Sequence, residues 1–132
     1  CRTPMQWTNQ NYGGFSEALP WIVGYQDLET TNVEYQQKQD DSIYNFTKQL
    51  IKYRKDHPTL IYGEIEFIQE KTKNYFIYKR KDKYNEYLIE INLSDRKQKR
   101  IITTSEYELI LSNIKVKEDA MLPYEANLYK KL

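Results

Sequence analysis

The sequence is poor in the residues on which most small-domain chemistry depends. It has one cysteine, Cys1, in 132 residues, so it builds no internal disulfide framework and no cysteine-based zinc cluster. Nothing in that cysteine usage demands an oxidising compartment. Its one histidine, His57, stands beside Pro58, where a helix should end. That position suits a helix-terminus residue better than a ligand or general base. There is no Ser-His-Asp set, no glycine-rich phosphate loop and no His/Cys metal spacing. An excess of one charge is missing too: 20 basic residues stand against 19 acidic ones, a net +1. That balance removes the electrostatic case for nucleic acid or an anionic membrane surface. No apolar run is long enough to span a bilayer. The expectations are therefore no metal, no cofactor, no nucleic acid and no membrane.

What is present is aromatic. Hydrophobic residues make up only 39% and charged residues 30%, but thirteen Tyr, four Phe and two Trp supply large buried area per residue, enough for a core. The length suits one ordinary domain, or a small domain with a leading segment. Residues 1 to about 31 show no periodicity and interleave Pro4, Gly13, Gly14, Pro20 and Gly24 with Trp7, Tyr12, Phe15, Trp21 and Tyr25. A loop of that length is usually functional or disordered, and its aromatics argue for order. Trp7 and Trp21 are either plugs of the loop's own small core or contacts to something else.

Asn32 is a candidate N-cap for a short helix from Val33 to Lys38, and Asp41 or Ser42 for a longer one ending before Pro58. Ile43, Phe46, Leu50, Ile51 and Tyr53 place an apolar stripe along the longer helix. Beyond Pro58 the period changes to two. Strands are expected at Leu60–Tyr62, around Ile65–Ile68, Tyr75–Tyr78, Tyr87–Leu93, Lys99–Thr103, Tyr107–Leu111 and Leu122–Tyr129. Their turn signals suggest an antiparallel sandwich or open barrel.

Most carboxylates offer little chemistry. A pair can in principle do acid/base work, but Glu64, Glu66, Asp82, Glu106 and Glu108 read as solvated strand faces. Arg2 is the sharper candidate. A guanidinium is a rigid fork of donors suited to a carboxylate or to vicinal sugar hydroxyls. Thr3-Pro4 stiffens the chain beside it, and Gln6 and Trp7 offer a hydrogen-bonding group and a stacking plane. The alternative is a surface arginine on a structural loop.

Arg2-Thr3-Pro4-Met5-Gln6-Trp7, followed by Gly14-Phe15 and Pro20-Trp21-Ile22, resembles the α-glucosidase branch of glycoside hydrolase family 13, the α-amylase family. Asn32-Val33, Asp41-Ser42-Ile43, Leu50-Ile51, Arg54-Lys55, His57-Pro58 and Tyr62-Gly63 continue the likeness. Asn92-Leu93-Ser94-Asp95, Leu111-Ser112-Asn113 and Leu122-Pro123-Tyr124-Glu125-Ala126 carry it to the end of the chain. The resemblance implies a mainly β chain: residues 1–57 are the last loop and helix of a (β/α)8 barrel, and 58–132 a C-terminal antiparallel β-sandwich domain. It implies a retaining exo-α-glucosidase, acting on short α-1,6 or α-1,4 glucosides from the non-reducing end, in a bacterial cytoplasm. In that family the Asp nucleophile, Glu acid/base and second Asp lie in motifs upstream of the position of Cys1, so no catalytic residue is expected here and the 132 residues alone should be inactive. Arg2 is the one residue carried over, as a ligand of the terminal glucose, and an oligosaccharide is the expected partner of the whole enzyme. A trehalose-6-phosphate hydrolase and a non-catalytic carbohydrate-binding module are the alternatives. The family pattern is broken at Thr8, where Asp is usual, at Gly13, where Ala is common, and at Ala18-Leu19. A start at Cys1 inside a dense motif further suggests the C-terminal piece of a longer protein, whose bared apolar stripe favours self-association.

Overall fold

The computed structural model describes residues 2–24, 27–69, 73–100, 105–115 and 118–132. The chain divides into two compact units, Cys1–Gln49 and Leu50–Leu132.

The first unit is a long loop leading into helices. A tight turn early in the loop, Asn11–Gly14, holds Tyr12, Gly13 and Gly14 at φ of 56°, 67° and 67°. Glycine takes that left-handed backbone without strain, and at Gly13 a Cβ would also sit 3.1 Å from Gln6 Cα. Helix α1 (Val33–Gln37) starts at Asn32, whose Oδ1 accepts from Tyr35 N at 2.8 Å. Helix α2 (Ile43–Asp56) starts after Ser42, whose Oγ accepts from Asn45 N at 3.1 Å. Both caps are those the sequence predicts. Asn45 Nδ2 then donates to the carbonyls of Gln36, Gln37 and Gln39 at 2.9–3.1 Å, tying α2 to the end of α1. No residue of α2 is fully buried; Ile43, Leu50 and Ile51 of its apolar stripe are exposed.

The second unit is an antiparallel sheet of five strands in the order β1-β2-β3-β7-β5, with a two-stranded sheet β4-β6. The strands are β1 (Glu64–Gln69), β2 (Tyr75–Lys81), β3 (Glu86–Asn92), β4 (Gln98–Lys99), β5 (Tyr107–Ser112), β6 (Ala120–Met121) and β7 (Ala126–Lys131). The chain is thus mainly β, as expected. Two expected strands differ. Thr59–Tyr62 is a short helix, α3, because the carbonyl of Pro58 accepts from both Ile61 N and Tyr62 N, at 2.9 and 2.8 Å. Leu122–Glu125 is a turn before β7: Tyr124 has φ 56° and Glu125 Oε2 accepts from Leu122 N at 2.7 Å. Of the expected strand Lys99–Thr103, residues 101–103 lie outside the described residues.

Side chains alternate across a sheet, and this register gives each face its own core. Lys79↔Leu88↔Tyr129↔Leu109 lies on one face, where Tyr75, Ile77, Leu88, Met121 and Tyr129 form a buried cluster. Tyr78↔Ile89↔Leu128 lies on the other, where Tyr87 and Leu128 pack with Leu60 of α3 and half-buried Tyr53. Strand β3 is therefore covered on both sides, as its near-continuous apolar run predicts. Each fully buried side chain of this kind contributes about 1.5–3 kcal/mol relative to exposure. A register shift between Phe67 and Gln69 makes Ile68 a bulge residue, which accounts for the broken alternation of β1.

Candidate functional site

The Arg2–Trp7 segment is held by its backbone. Trp7 N and Thr8 N both donate to Gly13 O, at 2.8 and 3.0 Å. The carbonyls of Gln6 and Trp7 accept from Val33 N and Glu34 N, each at 3.0 Å. Those are the first two amides of α1, which a helix leaves without internal partners, and Asn32 takes the third. Gln6 Nε2 donates to Thr31 O at 2.6 Å. Ahead of this clasp, Arg2 is exposed and makes no hydrogen bond or ion pair among the described residues, so its guanidinium is presented to solvent from an anchored backbone.

The loop from this segment to Trp21 shows large apolar surface. Trp21 is 79% exposed, Leu19 69%, Phe15 55% and Trp7 49%. Trp21 is thus no plug of the loop's own core, and the described contacts that hold the segment are backbone hydrogen bonds and the close approach at Gly13. Gln6, read from sequence as a hydrogen-bonding neighbour of Arg2, spends its amide on Thr31.

In the second unit the strongest polar constellation is buried and was not legible as one. Glu90 of β3 and Glu125 before β7 share Arg100: its Nη1 lies 2.5 Å from Glu90 Oε2 and its Nη2 2.8 Å from Glu125 Oε1. The Tyr75 hydroxyl donates to Glu90 Oε1, and Asn127 Nδ2 to Glu125 Oε1 at 2.7 Å. Burial pushes the Glu125 carboxyl up, but bonds from Asn127, Leu122 N and Arg100 outweigh it and hold it below the ordinary value. Burial, with Glu90 beside it, pushes the Tyr129 hydroxyl up to about 12. Two carboxylates bridged by a guanidinium and saturated with donors form a structural network, not an acid/base pair. Glu64, Glu66, Asp82, Glu106 and Glu108 are exposed, as expected; Glu90 and Glu125 are of a different, buried kind. The clue was Glu90 sharing strand parity with Leu88 and Asn92.

His57 is a structural residue. It stacks on Tyr53 with ring centroids 3.8 Å apart, meets Tyr87 edge-on, and its Nδ1 lies 2.7 Å from Tyr53 O. On the open end of the sheet, Phe67, Phe76 and Tyr78 cluster at 5.5–6.1 Å with rings tilted 48–60° to one another, so they form no coplanar platform for a sugar. Among the described residues no group of three or more His, Cys, Asp or Glu could hold a metal ion, and no helix is long and apolar enough to cross a membrane.

A solved glycoside hydrolase shares this fold. The chain superposes on a trehalose-6-phosphate hydrolase of Bacillus licheniformis with a TM-score of 0.88 over 98% of its length and 25% of the other, at 22% identity, which establishes the fold. Residues 1–63 match the α-amylase catalytic domain. The chain is 36% identical to an α-glucosidase of Candida albicans, over 98% of its own length and 23% of the other. It is also 36% identical to a probable oligo-1,6-glucosidase of Bacillus subtilis, over 97% and 25%. It therefore spans about a quarter of the length of the curated relatives it matches. In sequence and in fold the chain resembles the α-glucosidase branch of the α-amylase family, glycoside hydrolase family 13.

Proposed function

We propose that the chain is the part of a retaining exo-α-glucosidase that presents Arg2 to the terminal glucose of a short α-1,6 or α-1,4 glucoside. Residues 1–57 then belong to the end of the catalytic barrel, and 58–132 form a structural β-domain. The observation that carries this is the exposed Arg2 guanidinium, without a hydrogen bond or ion pair among the described residues, on a backbone anchored at Gln6 and Trp7. A planar fork of donors held in place can take two sugar hydroxyls at once, with the loss of freedom already met by the fold. The nucleophile and acid/base come from elsewhere in the whole protein: the two buried glutamates are saturated, and the remaining carboxylates singled out lie on strand surfaces and turns. The enzyme works in the cytoplasm, with an oligosaccharide as its partner. The 132 residues alone, with α2's apolar stripe exposed, self-associate.

The test is turnover of p-nitrophenyl α-glucoside by the whole polypeptide and by residues 1–132. Release of nitrophenol by the whole polypeptide and none by the 132 residues is expected. Activity in the 132 residues would overturn the assignment of catalysis to residues outside them; inactivity in the whole polypeptide would overturn the glucosidase reading itself.

A further inference from the structure

Asn32 uses its whole side chain within the loop. It is 5% exposed, accepts from Tyr35 N at 2.8 Å, and donates from Nδ2 to Leu28 O at 2.6 Å and Glu29 O at 3.3 Å. One amide thus joins the turn before α1 to the first turn of the helix. By taking the amide of Tyr35, Asn32 leaves those of Val33 and Glu34 for the carbonyls of Gln6 and Trp7. That choice sets the register between helix and motif. A cap residue satisfies orphan amides in any helix; here two of the remaining acceptors are supplied by the functional segment itself.

The other end of the segment is anchored as well. A Cβ on Gly24 would lie 2.9 Å from Thr3 Cγ2, so Thr3 sits directly against glycine backbone. Pro4, with its restricted φ, bridges the two anchors, and Arg2 is the residue next to Thr3. The backbone from which the guanidinium extends is therefore held by a chain of contacts that begins at Asn32.

We infer that Asn32 is a positioning residue for Arg2: its side chain registers α1 against the Gln6–Trp7 backbone and so sets where the guanidinium meets substrate. This rests on the reading of Arg2 as a glucose ligand. The two are separated by a double-mutant cycle in the whole polypeptide, reading kcat/KM on p-nitrophenyl α-glucoside. The variants are Asn32→Ala, Asn32→Asp (which keeps the acceptor and loses the donor), Arg2→Ala and the pairwise combinations. A small misplacement of a binding group is sufficient for a loss of about tenfold, which is expected of Asn32→Ala, with Asn32→Asp between it and the parent. In the Arg2→Ala background neither substitution should lower kcat/KM further, because the group being positioned is gone. Equal losses in both backgrounds would overturn the inference and leave Arg2 as a ligand. An Arg2→Ala protein as active as its parent would overturn both. If Asn32→Ala does not fold, Asn32→Asp carries the cycle alone.

Discussion

Arg100 and Glu90 meet at 2.5 Å on a face of the sheet where Glu90 has no solvent exposure, and the same guanidinium holds Glu125 through its other terminal nitrogen. Removing Arg100 leaves two buried carboxylates whose remaining partners are neutral. Breaking a buried pair from one side costs about 3–5 kcal/mol. Arg100→Ala in the whole polypeptide should fall in that range by urea unfolding. A loss under about 1 kcal/mol, the size expected of a surface pair, would show that the network is solvated in solution.

Acid should find this network, and also Glu86, which pairs with Lys79 at 3.0 Å. Hydrogen bonds and ion pairs hold Glu125 and Glu86 below the ordinary carboxylate value despite burial. A depressed folded pKa stabilises above the unfolded value, about 4.3, and that stability is lost as pH falls through the lower folded values. The melting temperature should be insensitive to pH near neutrality and fall below about pH 4, with a shallower fall in Glu125→Gln. At the other extreme, burial raises Tyr53 and Tyr129 to about 12. Stability should then decline as pH rises from about 10, where unfolded tyrosine ionises. A melting profile flat from neutrality to pH 3 would contradict the acid half.

Gly63 links α3 to β1 where no side chain fits. A Cβ there would lie 2.4 Å from Thr59 O and 2.9 Å from Lys81 O, both backbone atoms, while Gly63 O and Ile61 O take the Arg80 guanidinium at 2.8 and 3.3 Å. With φ at −60° the need is for space, not for left-handed backbone. Forcing a methyl group into a packed site costs about 1–3 kcal/mol, and Gly63→Ala should lie at the upper end by chemical denaturation. A neutral substitution would mean that α3 and β2 separate easily.

Much of this fold could be read from the chain. Asn32 and Ser42 announce their helices because a cap is a local device, and β2, β3 and β5 follow from alternation. The failures have tertiary causes. Leu60–Tyr62 has strand-like residues, but Pro58 starts a helical turn and Arg80 caps its carbonyls. Leu122 and Glu125 close a turn on each other through two hydrogen bonds, Leu122 N to Glu125 Oε2 and Glu125 N to Leu122 O. Glu90 sits among apolar neighbours, and only the fold brings Arg100 to it from ten residues away. At the candidate site, the proposal of Arg2 comes from its chemistry and its motif. The clasp through Asn32 and Gln6 was not, since it joins residues 25 or more apart.

The most direct test of the account is kcat/KM of the whole polypeptide on p-nitrophenyl α-glucoside, with and without Arg2→Ala. A hydrogen bond to a charged group contributes about 1.5–3 kcal/mol, so the account predicts a loss of roughly 10- to 100-fold with the fold intact by circular dichroism. An Arg2→Ala protein that keeps its parent's kcat/KM would contradict it.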